Sequence, residues 1–253
     1  MARQLWLILL GAAILSGTGH WLFRKSDGAI SPSCPEPGAH IEISKPGKFP
    51  GGFHRRGIAL ELARNVEDVS VILGCESNRN STVVRDELRG DLRVDYLFII
   101  PFYWAVLAMG AAFLRRQDAK GGLLLSLAAG VCATGAALFD MLLENTRINT
   151  LLNTPWTETT NAMAEGIRQA SLCKWTLLFM TVAILASLFT WRKERTRFIG
   201  YFYWLTAVIG FIGLYWHPAL ELGFGLLVID LLVLLVVLLF CRKHLLRVSA
   251  ADR

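Results

Sequence analysis

The 253-residue sequence lacks the short motifs that identify common catalytic and metal sites. Its five cysteines form no C-x-x-C pair, which argues against a zinc or redox motif. It also contains no P-loop, no glycine-rich dinucleotide fingerprint, no H-E-x-x-H or H-x-x-E-H motif and no internal repeat. The sequence therefore predicts no metal site and leaves any cofactor unknown.

Charged residues are also scarce, at 18% of the chain, whereas hydrophobic residues make up 54% and the mean hydropathy is +0.45. Soluble domains are nearer 45 to 50% apolar, so this composition favours a membrane protein. The apolar residues fall in blocks of roughly 18 to 24, which is the length that crosses a bilayer as a helix. The net charge of +6 lies largely in short loops, so we expect membrane lipids and no nucleic acid as partners.

The apolar blocks predict an all-α integral membrane bundle of about six transmembrane helices. The predicted spans are residues 1–23, 95–114, 122–144, 172–191, 198–216 and 220–240. The first block resembles a signal peptide, but it lacks an A-x-A site and its apolar stretch continues through Phe23, which favours an uncleaved anchor. Cleavage near residue 19 stays open. The predicted domains are the first helix (1–23), a loop (24–94), a five-helix bundle (95–241) and a basic tail (242–253).

The loop 24–94 is predicted to form an extracytoplasmic helical hairpin between the first two spans. In the first helix of this hairpin, apolar residues recur at helical spacing, at Ile58, Leu62, Val66, Val69 and Leu73. Glu61, Arg64 and Asp68 lie between them and are expected nearer water. A second, more polar helix is predicted over residues 82–94. The segment 145–171 is predicted to be a polar loop with weak helix signals.

Lysine and arginine are concentrated in the short loops after the second, fourth and sixth spans, at residues 115–120, 192–197 and 242–247. Because cytoplasmic loops carry this excess, we expect a multi-pass protein of the inner (plasma) membrane with both termini in the cytoplasm. Cys34 and Cys75 then lie outside the cytoplasm, where a disulfide can form. Whether they are bridged or are two free thiols stays open.

Polar side chains at membrane depth gather at the outer ends of the predicted spans. Asp140 and Glu144 are four residues apart, so they share a helix face that continues backwards over small residues, where membrane helices pack. Ligand-binding or ion-pair candidates at this level are Asp95, Asp140, Glu144, Asn145, Lys174, His20, His217 and Glu221. Asp230 is the exception because it lies in the middle of the sixth span. For the histidines, an interfacial or structural role is the alternative.

Lys174 is expected to neutralise the acidic face formed by Asp140 and Glu144. The third and fourth predicted spans are consecutive and antiparallel, so the ends that carry these residues can meet. A buried acid is costly in a membrane unless it is paired or used functionally.

The motifs Ala59-Leu60-Glu61-Leu62-Ala63, Asp95-Tyr96-Leu97-Phe98, Asp140 through Asn145, and Lys174-Trp175 together resemble a pattern in bacterial polytopic membrane proteins that have no known activity. The resemblance covers about residues 57–190 and implies a bacterial source, but no chemistry.

Three functions fit the sequence. The first is a binding or accessory protein, such as a subunit of a membrane complex, whose polar cluster holds helices together. The second is a membrane enzyme that acts on a lipid or isoprenoid at the outer leaflet, with Asp140 or Glu144 as acid or base and Lys174 holding an anionic group. The third is a small proton- or cation-coupled transporter that uses Asp140, Glu144 and Asp230. The sequence ranks them in this order, because an enzyme usually shows a sharper motif and a transporter usually shows repeats or broken helices.

Overall fold

The computed structural model describes residues 53–74, 79–115, 121–190 and 197–240. Helices account for 91% of these residues, and this part of the chain contains no strands. The predicted all-α class is therefore confirmed for the described ranges. The predicted first span (1–23) and the basic tail (242–253) lie outside them.

The helices follow one another with short connections. In chain order they are α1 (Arg56–Glu61), α2 (Val66–Leu73), α3 (Arg79–Val94), a first π-helical segment (Asp95–Ile99), α4 (Ile100–Arg115), α5 (Gly121–Leu138), a second π-helical segment (Phe139–Glu144), α6 (Asn145–Asn153), a 3-10 turn (Trp156–Glu158), α7 (Asn161–Thr190), α8 (Arg197–Gly213) and α9 (His217–Phe240).

Four helical stretches in the described ranges are long and apolar enough to cross a membrane. They are Ser81–Leu114, Gly122–Asn153, Asn161–Thr190 and His217–Leu239. α8 is apolar but shorter. The most apolar part of α7 is 78% buried, against 33 to 39% for the other three stretches, so α7 is the most enclosed of the four. The other three expose apolar side chains, as helices that face lipid do.

The described residues divide into two compact units. One, which we call the apolar unit, contains residues 101–115, 121–137, 175–190 and 197–240. The other, which we call the polar unit, contains residues 53–74, 79–100 and 138–174. Residues 138–174, which the sequence assigns to the five-helix bundle, are thus grouped with residues of the predicted loop.

In the polar unit, the predicted first helix of the hairpin is two helices, α1 and α2. The helix is interrupted because Asn65 caps the start of a new helix. The Asn65 side chain accepts a hydrogen bond from the Asp68 backbone N–H, at 2.8 Å. Asp68 in turn accepts one from the Arg64 backbone N–H, at 2.9 Å. This reciprocal arrangement satisfies N–H groups that a helix start otherwise leaves without partners.

The regularly spaced apolar side chains of this region are nevertheless buried as the spacing predicts. They are Ile58, Leu62, Val66, Val69 and Leu73, of which Leu62 directly follows α1. Glu61 differs from its prediction, because its side chain is only 16% exposed and forms an ion pair within the polar unit.

The polar segments on either side of the predicted spans are longer helices than the sequence indicates. α3 continues without a break through the first π-helical segment into α4. The predicted polar loop 145–171 contains α6, the 3-10 turn and the first turns of α7. The early part of α7 is helical because Ala164, Ile167 and Ser171 recur on one face and are buried there.

Close helix packing in the apolar unit depends on small residues. α8 and α9 pack against each other, as the short predicted connection indicates. A side chain at Gly213 would collide with the backbone of Leu220, so only glycine allows this approach. Between α4 and α5, Ser126 donates a 2.6 Å hydrogen bond to the carbonyl of Ala111.

Candidate functional site

The candidate site lies in the polar unit and is centred on Lys174, which is 4% exposed. Its Nζ atom lies 2.5 Å from Glu144 Oε1, 3.0 Å from Glu61 Oε2 and 3.7 Å from Asp140 Oδ1. We call these four residues the Lys174 cluster. It joins one ammonium group to carboxylates from two separate stretches of chain.

Three helical segments position the four side chains. Lys174 continues the buried face of α7 that carries Ile167 and Ser171. Glu61 is the last residue of α1, between the buried residues Leu60 and Leu62. The burial of these two helix faces therefore directs Lys174 and Glu61 toward the protein interior.

Asp140 and Glu144 belong to the second π-helical segment, and both are buried. The wider turn of this segment is closed by a hydrogen bond from the Asn145 backbone N–H to the Asp140 carbonyl. The first π-helical segment carries Asp95 and is closed in the same way, from Ile100 to the Asp95 carbonyl. Such segments are rare and frequently occur at functional sites, so their presence on both helices marks this region.

The cluster contains more carboxylates than cations. Glu61, Asp140 and Glu144 share one ammonium group, and Asp95 also interacts electrostatically with Glu61, Asp140 and Lys174. In addition, Glu144 Oε2 is buried and has no hydrogen-bond partner in the described ranges. Burying charge without full pairing costs several kcal/mol. This cost is either offset by favourable contacts made elsewhere or relieved when the site binds a proton.

The other predicted site residues are not members of the cluster, or they lie outside the described ranges. Asn145 is buried beside Glu144 in the polar unit, and its Nδ2 has no partner among the described residues. His217, Glu221 and Asp230 belong to the apolar unit. His20, Cys34 and Cys75 lie outside the described residues, so neither the disulfide nor the free-thiol alternative has a structural description.

Asp230 is buried on α9 at 1% exposure. Its backbone carbonyl accepts a 2.6 Å hydrogen bond from the Tyr203 hydroxyl, and its carboxylate lies beside Thr206. Asp230 thus contributes to the contact between α8 and α9.

Sequence reasoning misses Glu61, which it places near water. The available signal is its position: an acid directly flanked by the buried residues Leu60 and Leu62 cannot point far from the protein interior. The sequence also misses Arg85, which is buried and donates hydrogen bonds to the carbonyls of Leu152 at 3.2 Å and Thr154 at 3.1 Å. Arg85 therefore satisfies carbonyls that the end of α6 leaves without helical partners.

Together, the fold and the site define an all-helical protein with helices of membrane-spanning length and a buried, ion-paired polar cluster. Within the described ranges, no group of three histidine, cysteine, aspartate or glutamate side chains is arranged to hold a metal ion. A comparison with known proteins finds no matching family model, no matching curated protein and no matching solved structure. The geometry and charges of the site therefore carry what can be inferred about function.

Proposed function

We propose that this chain is a binding or accessory membrane protein in which the Lys174 cluster fixes the loop helix α1 to the helices that carry Asp140 and Lys174. The observation that supports this most strongly is the burial of the Lys174 ammonium among carboxylates from α1 and the second π-helical segment. A buried cluster that joins two separate stretches of chain through one ammonium group is suited to holding a surface in one shape for a partner.

An enzyme that acts on a lipid or isoprenoid has less support. In that function Lys174 would hold an anionic group of the substrate. Its ammonium already contacts Glu61, Asp140 and Glu144, and its side chain is 6% exposed. A substrate anion would have to displace these carboxylates and enter an environment with excess negative charge.

The proposal places the protein in the inner membrane of a bacterium, with six spans and both termini in the cytoplasm. The four long apolar stretches support membrane insertion. The excess of lysine and arginine in the short loops supports the orientation. Membrane lipids and other protein subunits are the proposed partners.

Native mass spectrometry of the protein extracted from its own membranes in mild detergent tests this proposal. We expect a companion subunit at fixed stoichiometry with the unchanged chain, and reduced recovery of that subunit with Glu61→Gln. Glu87→Gln is the matched control, because Glu87 pairs with Arg56 at an exposed position. A chain that is recovered only as an isolated monomer contradicts an accessory role.

The excess of carboxylates favours a second candidate function, a small proton-coupled transporter. Three carboxylates within 4 Å of one ammonium group, with Glu144 Oε2 unpaired in the described ranges, form a site that gains stability by binding a proton.

Proteoliposomes with an internal pH dye distinguish this candidate from the first. A transporter should acidify the vesicle interior when the pH outside is made lower than the pH inside. Glu144→Gln should abolish this acidification. Glu87→Gln should keep it. Equal dye responses in protein-containing and protein-free vesicles exclude a proton path through the chain that operates without a second substrate.

A further inference from the structure

A second feature of the polar unit is an open cleft of about 500 Å³ between α3 and α6. Both helices contribute side chains at helical spacing. The lining residues are Arg89, Leu92, Arg93, Tyr96 and Leu97 on one side and Met141, Asn145, Thr146 and Asn149 on the other. Within each set, residues recur at intervals of three and four along the helix, so each set forms one helix face.

The cleft lining is cationic. It includes two arginines and no aspartate or glutamate. The charge of Arg89 is offset by Asp86, which lies 2.5 Å from its Nη1. Its Nη2 donates a hydrogen bond to the Leu152 carbonyl at 2.9 Å. Arg93 is exposed and forms no ion pair with any described residue. The site therefore favours an anion, which can use the Arg93 guanidinium fully.

Polarity changes along the cleft. Arg85 contacts Thr154 and Arg89 contacts Leu152, so α3 and α6 run antiparallel. Arg89 and Asn149 consequently lie toward one end of the cleft. Leu97 and Met141 lie toward the other end, where the two helical segments that carry them continue into apolar helices. The cleft thus has a polar, basic end and an apolar end, like an amphiphile with a charged head and an apolar chain.

Two further observations indicate a ligand here. The lining residue Asn145 is 7% exposed, and its buried Nδ2 has no hydrogen-bond partner in the described ranges. Both π-helical segments border the cleft, since Tyr96 and Leu97 belong to the first and Met141 to the second. π-helical segments displace side chains from regular helical positions and frequently occur at binding sites.

We propose that this cleft is a binding site for a phosphate-bearing anion. Arg93 and Arg89 contact the phosphate oxygens, Thr146 and Asn149 are positioned to add hydrogen bonds, and the Leu97 end receives an apolar chain. A lipid phosphate uses both ends of the cleft, whereas inorganic phosphate uses only the basic end. The site shares no residue with the Lys174 cluster, so the inference is independent of the proposed function.

Native mass spectrometry of the full chain in neutral detergent, titrated with one probe at a time, tests the proposal. The probes are phosphatidylglycerol, phosphatidylcholine with the same acyl chains, and inorganic phosphate. We expect phosphatidylglycerol to bind more tightly than phosphatidylcholine, and Arg93→Gln to weaken its binding about fivefold, which is the effect of one arginine near an anionic lipid surface. Arg64→Gln is the control, because Arg64 is also exposed on the polar unit but does not line the cleft.

Leu97→Trp provides a second variant, which fills the apolar end without changing the charge. It should weaken phosphatidylglycerol binding and leave inorganic phosphate binding unchanged. Phosphate binding that Arg93→Gln weakens, without any preference for phosphatidylglycerol, supports the anion site and identifies a free phosphate as its source. Equal affinity for both lipids without phosphate binding, an equal loss in Arg64→Gln, or no binding of any probe overturns the proposal.

Discussion

Replacing Lys174 by methionine removes the only cation of the Lys174 cluster while keeping a similar side-chain length. The ammonium contacts three carboxylates, so the change leaves Glu61, Asp140 and Glu144 close together without a positive charge. Glu144 is affected most, because it is 1% exposed and its second oxygen already lacks a hydrogen-bond partner among the described residues.

Loss of one partner from a buried ion pair costs about 3 to 5 kcal/mol, because the remaining charge stays buried. We expect Lys174→Met to lower the free energy of unfolding by an amount in this range. This loss is a large fraction of the total stability of a typical domain, which is about 5 to 15 kcal/mol.

Equilibrium unfolding in mixed micelles, with increasing denaturing detergent, measures this loss. Arg56→Met is the matched control: it also removes a cation, but from a 3.4 Å pair with the exposed Glu87. Exposed pairs contribute about 0 to 1 kcal/mol, so the control should be nearly as stable as the unchanged protein. The reasoning is refuted if Lys174→Met loses no more stability than Arg56→Met.

Three other predictions follow from the packing and the charge distribution. Gly213→Ala should destabilise the protein by about 1 to 3 kcal/mol in the same unfolding assay, because the new Cβ meets the Leu220 backbone. Gly130→Ala is the control: its new Cβ meets nothing within 4 Å, so the change should be neutral or stabilising. Asn65→Ala should cost about 1 kcal/mol and increase amide hydrogen exchange at the start of α2, since it removes the cap; unchanged exchange there contradicts the capping role. In intact cells, an impermeant thiol reagent should label a cysteine at the exposed Glu158 and spare one at position 117, and the reverse pattern overturns the orientation.

The amount of structure that the sequence predicts depends on how local the determining physics is. Long apolar blocks predict membrane-length helices because hydropathy and length suffice. The four long apolar stretches coincide with all or nearly all of the predicted spans 95–114, 122–144, 172–191 and 220–240. The break between α1 and α2 is also determined locally. An asparagine followed three residues later by an acid is typical of a helix start, and Asn65 and Asp68 form the capping hydrogen bonds there.

Nonlocal features of the site were harder to predict. The four-residue spacing of Asp140 and Glu144 and the position of Lys174 were enough to predict that the three residues lie together. Glu61 joins them from 113 residues away in sequence, through the tertiary packing of α1. The π-helical segments could not be predicted either, because hydropathy patterns do not distinguish an i to i+5 hydrogen bond from an ordinary helical one.

Double-mutant cycles around Lys174 test the central claim most directly, because they isolate the energy of each pair within the cluster. We predict a coupling of about 1 to 3 kcal/mol between Lys174→Met and Glu144→Leu. The coupling with Asp140→Leu should be smaller, since its oxygen lies 3.7 Å from Nζ whereas that of Glu144 lies 2.5 Å away. Strictly additive losses in both cycles would contradict the account, because Lys174 would then share no site with either acid.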